Sequence, residues 1–391
     1  MPTLHIDTDR LAAALDAAIG AGLAGVVATV SVDGETVFAE GRGVRTAGEP
    51  APMTPDSVLA IYSMTKAITG AAAMQCVERG LLSLDGPAAA VLPDLGDLQV
   101  LEGFADDGTP QLRPARTPVT LRHLLTHTSG FVYGELWNAA LGRYIAATGT
   151  PSLFSLQKAA LRVPLTFEPG TRWEYGTGID WAGLMVEAVS GTTLGEFCTA
   201  NLFGPLGMTD TAFTPTASML ERHAGMHVPT PDGMVPFVLP PPDAPEFEMG
   251  GGGLHSTVGD YLRFTNAILN GGELGGVRVL QADTVAEMAR NSIGAVDVEP
   301  LVTANPALTG DADFYPDQPC KWGLTFLINT ETTPQGRPAG SLSWAGLANS
   351  YYWIDPTNRI CGVWATQVLP FFHPSAIDGF RAFESAVYGV R

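Results

Sequence analysis

Apolar residues at Leu11, Leu15 and Ile19 recur every fourth position, a spacing that predicts one buried face of a helix over residues 8–21. Two apolar runs follow, 25–32 and 36–42, joined at Asp33-Gly34, a dipeptide suited to the left-handed backbone of a tight hairpin turn. Residues 67–79 are rich in Ala, Met, Gln and Glu and lack Pro, so they predict a helix ending near Gly80. From 84 to 270 the pattern is mostly helical, with stretches at 121–125, 156–161, 181–189, 194–202 and 258–269. Loops rich in Gly and Pro separate them, including 239–242 and 250–253. Beyond 270 come short β-branched or aromatic runs at 322–328, 341–345, 351–354 and 360–366, and residues 377–388 close the chain as a helix. Strands at both ends with helices between them predict an α+β fold. One antiparallel sheet is flanked by N- and C-terminal helices, and a mostly helical domain is inserted into it. On this reading 1–83 and 271–391 form one discontinuous α/β domain and 84–270 the helical one, with any site between them.

Composition narrows the function. The chain has 391 residues, 46% of them hydrophobic, enough for a large folded core. Its formal charge of −19 argues against nucleic acid and anionic membrane surfaces as partners, since both need clustered Lys and Arg. Residues 11–32 carry only one charge, Asp16, but the change from helical to alternating pattern near Gly25 reads as helix then buried strand, not a membrane span. The first ten residues carry Asp where a secretory signal has Lys or Arg, so a soluble, cytoplasmic protein is expected. Cys76, Cys198, Cys320 and Cys361 are far apart and form no CxxC pair, which predicts free thiols and no cysteine-type zinc site.

The candidate chemistry starts at Ser63-Met64-Thr65-Lys66. If Ser63 sits at a helix N-terminus, the i,i+3 spacing brings the Lys66 amine within reach of its oxygen. A lysine can take a serine proton when burial lowers its pKa, and the helix N-terminus offers N–H groups to an oxyanion. No serine occupies the centre of a Gly-x-Ser-x-Gly elbow. His127 and His255 lie in turn-like contexts that favour backbone hydrogen bonding. His223 and His227 flank a glycine and lack the glutamate of a His-Glu-x-x-His metal site, so no metal is expected. Tyr175, delivered by the Pro169-Gly170 turn just before a helix, is the better partner. A phenolate beside an ammonium has a lowered pKa, so the two can share one proton.

These segments, in this order, resemble the serine β-lactamase superfamily of class C β-lactamases and DD-peptidases, above all the family VIII carboxylesterases. Ser63-Met64-Thr65-Lys66 matches the Ser-x-x-Lys motif, and the stretch from Thr120 through His127 to Gly130 is nearly a signature by itself. Leu202-Phe203-Gly204-Pro205, Gly251-Gly252-Gly253-Leu254 and Trp344-Ala345-Gly346 follow in register, so the resemblance spans about 10–390. It implies that Ser63 is acylated, that Lys66 and Tyr175 share the base and acid roles, and that the Ser63 and Leu347 N–H groups form an oxyanion hole. Gly346 would let substrate approach its strand, and no cofactor is implied. His127 would be structural.

Two departures from the lactamase pattern bear on substrate. Thr177 stands where those enzymes carry the asparagine of Tyr-x-Asn, and Trp344 puts an apolar ring in place of the Lys-Thr-Gly ammonium. Neither can pair with a carboxylate as an ammonium does. The expectation is a serine carboxylesterase acting on small, neutral, short-chain esters, with Trp344, Gly346, Thr177 and Tyr133 at the substrate. Phe131 and Trp137 are further candidates for the pocket wall. A β-lactamase, D-aminopeptidase, amide hydrolase or acyltransferase on the same machinery, and a non-catalytic penicillin-binding-like protein, are the rivals.

Overall fold

The computed structural model describes residues 6–238 and 242–390; residues 239–241 of the loop expected at 239–242, and the first five residues, lie outside them. Helix α1 (Thr8–Gly20) is capped by Asp7, whose carboxylate accepts from the Asp9 and Arg10 N–H groups, and it turns Leu11, Leu15 and Ala18 inward. The hairpin of β1 (Gly25–Val32) and β2 (Glu35–Gly43) turns at Asp33 and Gly34, both at positive φ.

The C-terminal strands are β3 (Cys320–Trp322), β4 (Leu327–Asn329), β5 (Leu342–Gly346), β6 (Ser350–Asp355) and β7 (Ile360–Ala365). With the N-terminal hairpin they form one seven-stranded sheet in the order β3-β4-β5-β6-β7-β1-β2. Every neighbour is antiparallel. The first strand of the chain is thus zipped to the last, with Val27 opposite Ala365 and Val32 opposite Ile360. The run expected as one strand over 322–328 is two, because Thr325 adopts positive φ and turns the backbone between them.

β5, β6 and β7 are buried on both faces, which is why they read as continuous apolar runs. On one face Tyr351 lies under Phe380 of the C-terminal helix, Pro374–Val387, the rings stacked at 4.5 Å; that helix also packs along α1. On the other, Ser31 Oγ donates to Asn266 Oδ1 at 2.7 Å, from the helix Val258–Leu269. Those bounds are the ones the apolar spacing predicts.

Between β2 and β3 the chain alternates helices with loops and short hairpins. Helix α2 (Thr65–Glu78) is buried from Thr65 to Cys76 on every side, as a helix without a polar face must be. Helix α3 (Gly178–Ser190) packs against it. Two hairpins interrupt this region where only helices and loops are expected: Gln99–Phe104 with Pro110–Pro114, and Met226–Thr230 with Gly233–Phe237. The stretch expected as helix at 156–161 contains only a 3₁₀ turn, Lys158–Leu161.

Candidate active site

Ser63 lies in a 3₁₀ turn, Tyr62–Met64, two residues before α2 begins. Tyr62 has φ of 42°, a left-handed conformation that costs a non-glycine residue roughly 1–2 kcal/mol. Ser63 is half-buried and Lys66 wholly buried.

The polar side chains of the first turns of α2 fasten a glycine loop. Thr65 Oγ1 accepts from Leu254 N at 3.1 Å, and Thr69 Oγ1 donates to Gly250 O at 2.7 Å. Between them, Lys66 Nζ reaches Gly251 O at 2.7 Å, Tyr133 Oη at 2.9 Å and Ser63 Oγ at 3.1 Å. Three partners suit an ammonium with three hydrogens. A neutral amine keeps two, for Gly251 and Tyr133, and turns its lone pair to the Ser63 hydroxyl. Burial holds the Lys66 amine well below its ordinary pKa, opposed by the negative charge of Asp180.

Tyr175 arrives from a segment tied to the 126–137 loop. Glu174 N donates to His127 O at 3.0 Å, and Gly176 N to His127 Nδ1 at 3.2 Å. His127, itself at φ 57° and wholly buried, is kept neutral by burial and by the nearby Lys66. Its carbonyl and ring nitrogen thus hold the backbone on either side of Tyr175. The Tyr175 ring lies 4.7 Å from the Lys66 Nζ and its hydroxyl engages Ser63. Trp344 Nε1 donates to Tyr175 Oη at 3.1 Å.

One expectation is reversed. The ammonium neighbour is expected to lower the Tyr175 pKa, but burial raises it above the ordinary phenol range, opposed only in part by the bonds to Ser63 and Trp344. The same burial depresses Lys66 to about 7, so burial favours the proton on the phenol over the amine.

The end of β5 lies against the turn that carries Ser63. A methyl group on Gly346 would run into the Ile61 carbonyl oxygen and come within 3.6 Å of Tyr62 Cβ, so only glycine lets the strand approach this far. Asn349, at φ 58°, pins the following turn by donating to Val368 O and Pro370 O at 2.8 and 2.9 Å.

The remaining candidates scatter. A cleft of about 500 Å³ opens beside Tyr175, bounded by Trp137, Asn138, Trp173, Glu299 and Leu301. Thr177 lines a different, small pocket with Tyr133 and Leu153, and Trp344 another with Phe314. Phe131 is buried against Trp181. Tyr133, expected as pocket wall, is a ligand of the Lys66 amine. Asp180, on α3, was not marked by any motif, yet its Oδ1 accepts from Gly251 N at 2.8 Å. The four cysteines are free and buried. Among the described residues there is no His, Cys, Asp and Glu group able to hold a metal ion, and no helix long and apolar enough to cross a membrane.

Residues 9–386 match the family model described as beta-lactamase. The lovastatin esterase of Penicillium rubens is 34% identical over 381 residues, 93% of this chain and 93% of that protein. The monacolin J acid methylbutanoyltransferase of Aspergillus terreus is 34% identical over 350 residues, 86% of this chain and 83% of that one. A mutant of the simvastatin synthase of Aspergillus terreus superposes with a TM-score of 0.83 at 30% identity, covering 97% of this chain and 96% of that one. A family VIII carboxylesterase shares the fold at 20% identity, with a TM-score of 0.68 and coverage of 99% and 98%.

Proposed function

This chain belongs to the beta-lactamase family, and from that premise we propose that it is a serine esterase that moves a short, neutral acyl group from an ester, through Ser63, to water. The observation that carries the reading is the buried Lys66 amine, 3.1 Å from Ser63 Oγ with its other hydrogens committed to Gly251 and Tyr133. A base held neutral by burial can take the hydroxyl proton as Oγ attacks the ester carbonyl. The Ser63 and Leu347 N–H groups stabilise the tetrahedral oxyanion. Collapse breaks the bond to the alcohol, which leaves with a proton from the Tyr175 hydroxyl, and Lys66 restores that proton. Water, deprotonated by the same pair, then cleaves the acyl-enzyme and frees Ser63.

Trp344 supports a neutral acyl group. Its indole nitrogen is spent on Tyr175, and no ammonium stands there for a penicillin carboxylate. Loss of one charge-assisted hydrogen bond is worth about 1.5–3 kcal/mol, or roughly 10–100-fold. Purified protein is expected to release p-nitrophenol from the butyrate ester, with nitrocefin turnover slower by at least that factor. Rapid nitrocefin hydrolysis without ester turnover would overturn the reading. A second reading, transfer to an alcohol, is favoured by the equal identity to an esterase and to a methylbutanoyltransferase. It predicts that added alcohols speed nitrophenol release and yield a new ester, seen by mass spectrometry.

Gly346→Ala tests the strand's approach. Its methyl must displace either β5 or the Ile61 peptide, and a shift of about 1 Å at reacting atoms costs roughly 100-fold. The expected result is that loss in kcat/KM with the protein still folded by circular dichroism.

A further inference from the structure

Asp180 is wholly buried on α3, five residues beyond Tyr175, and reaches Lys66 through a single residue, Gly251. Its Oδ1 accepts from Gly251 N at 2.8 Å, and the carbonyl of that same residue accepts from Lys66 Nζ at 2.7 Å. Its Oδ2 has no hydrogen-bond donor among the described residues and lies so close that a Cβ on Gly251 would stand 2.7 Å from it. A carboxylate buried with one oxygen unpaired is costly unless a positive charge lies nearby. The charged and titratable groups facing this pocket are Lys66 from α2, Tyr133 and His127 from the 126–137 loop, and Tyr175 and Asp180 themselves. Of these only Lys66 can become positive without a large penalty, since burial holds His127 neutral.

We infer that Asp180 is a positioning residue for Lys66: it fixes the backbone of Gly251, whose carbonyl holds the amine, and its charge balances the ammonium formed when Ser63 gives up its proton. The inference rests on the reading of Lys66 as the base. It assigns to Asp180, acting across the residue Gly251, the task that the third member of a triad performs by direct contact. The proton balance is simple. Ser63 Oγ–H is broken and the hydrogen goes to Nζ. The Lys66 ammonium then stands between two negative charges, the Asp180 carboxylate and the tetrahedral oxyanion, until collapse of the oxyanion expels the alcohol, which leaves with the proton relayed through Tyr175. Two further observations fit. The Lys66 amine is desolvated yet still feels Asp180 as its attractive charge, and Asp180 reciprocally feels Lys66.

Asp180→Asn separates the two tasks, because the amide oxygen can still accept from Gly251 N–H while the charge is gone. An ionised Asp180 favours the ammonium, so its loss lowers the Lys66 pKa further. The acid limb of kcat/KM for p-nitrophenyl butyrate is then expected to move to lower pH by roughly one unit. On the plateau kcat is expected to fall about tenfold with KM little changed. A purely structural role would leave the limb where the wild type has it, and that outcome overturns the inference. Failure of the underlying reading looks different: the wild type itself would show no acid limb, or Ser63→Ala would retain turnover. Should the single variant fold poorly, melting temperatures at pH 8 decide. With Lys66→Met in place the charge is unpaired, so adding Asp180→Asn is expected to raise the melting temperature by at least about 3 °C. An equal drop from Asp180→Asn in both backgrounds would also overturn the inference.

Discussion

Ser63→Ala is expected to lower kcat/KM for p-nitrophenyl butyrate by at least about 10⁴-fold, the scale seen when the nucleophile of an acyl-transfer site is removed. The substitution should leave the fold intact. Among the described residues Ser63 Oγ is tied only to the Lys66 amine and the Tyr175 hydroxyl, and the amine keeps Gly251 O and Tyr133 Oη as partners. Intact-mass measurement gives the decisive companion result. Wild-type protein quenched during turnover is expected to carry the butyryl mass on the peptide containing Ser63, and the variant none. Retention of a tenth of the wild-type rate would show that another group does the chemistry.

Tyr175→Phe removes one oxygen and leaves the ring, which packs against His127, Tyr133, Trp137 and Trp344 with centroids 4.7 to 5.4 Å away. The expected cost is a fall in kcat of about 10²–10⁴-fold, the range for loss of a positioned acid or base. KM should change little, because the hydroxyl acts on the leaving alcohol. The buried Trp344 Nε1 loses its acceptor, which costs roughly 1–3 kcal/mol and lowers the melting temperature by a few degrees. An activated aryl ester should suffer less than an alkyl ester, since a nitrophenolate needs no proton to leave. Equal losses on both would remove Tyr175 from the acid role.

Much of this site is legible before any coordinate is known. The Ser63–Lys66 spacing, the Pro169-Gly170 turn before Tyr175 and the Asp33-Gly34 hairpin are local signals, each fixed by a few neighbouring residues. The Val258–Leu269 helix is legible for the same reason, because its apolar spacing is unbroken. What escapes is what depends on distant partners. The Gln99–Phe104 hairpin is hidden because Pro110 and Pro114 bound its return strand, although Asp107-Gly108 marks the turn. The break at Thr325 is set by contact with α2 and not by local sequence, since its side chain lies against Gly70. The proton's resting place on Tyr175 follows from burial, a property of the assembled core. Asp180 is invisible for a related reason: an acidic residue in the first turn of a helix looks like ordinary N-terminal charge until Gly251 is seen beside it.

The zipping of β1 to β7 has a consequence for how the protein comes into being. Ser63 and Lys66 leave the ribosome early, but β5, which must close on the Ser63 turn, comes almost 280 residues later, and the partner of β1 later still. Such distant pairings are slow to form, because a long loop must close before any contact rewards it. Until then the Lys66 amine is in water and fully protonated at neutral pH, a poor base. The nascent chain is therefore its own safety catch: reactivity at Ser63 is switched on by the last strands to be made, and a chain cut short before them has a nucleophile in sequence only.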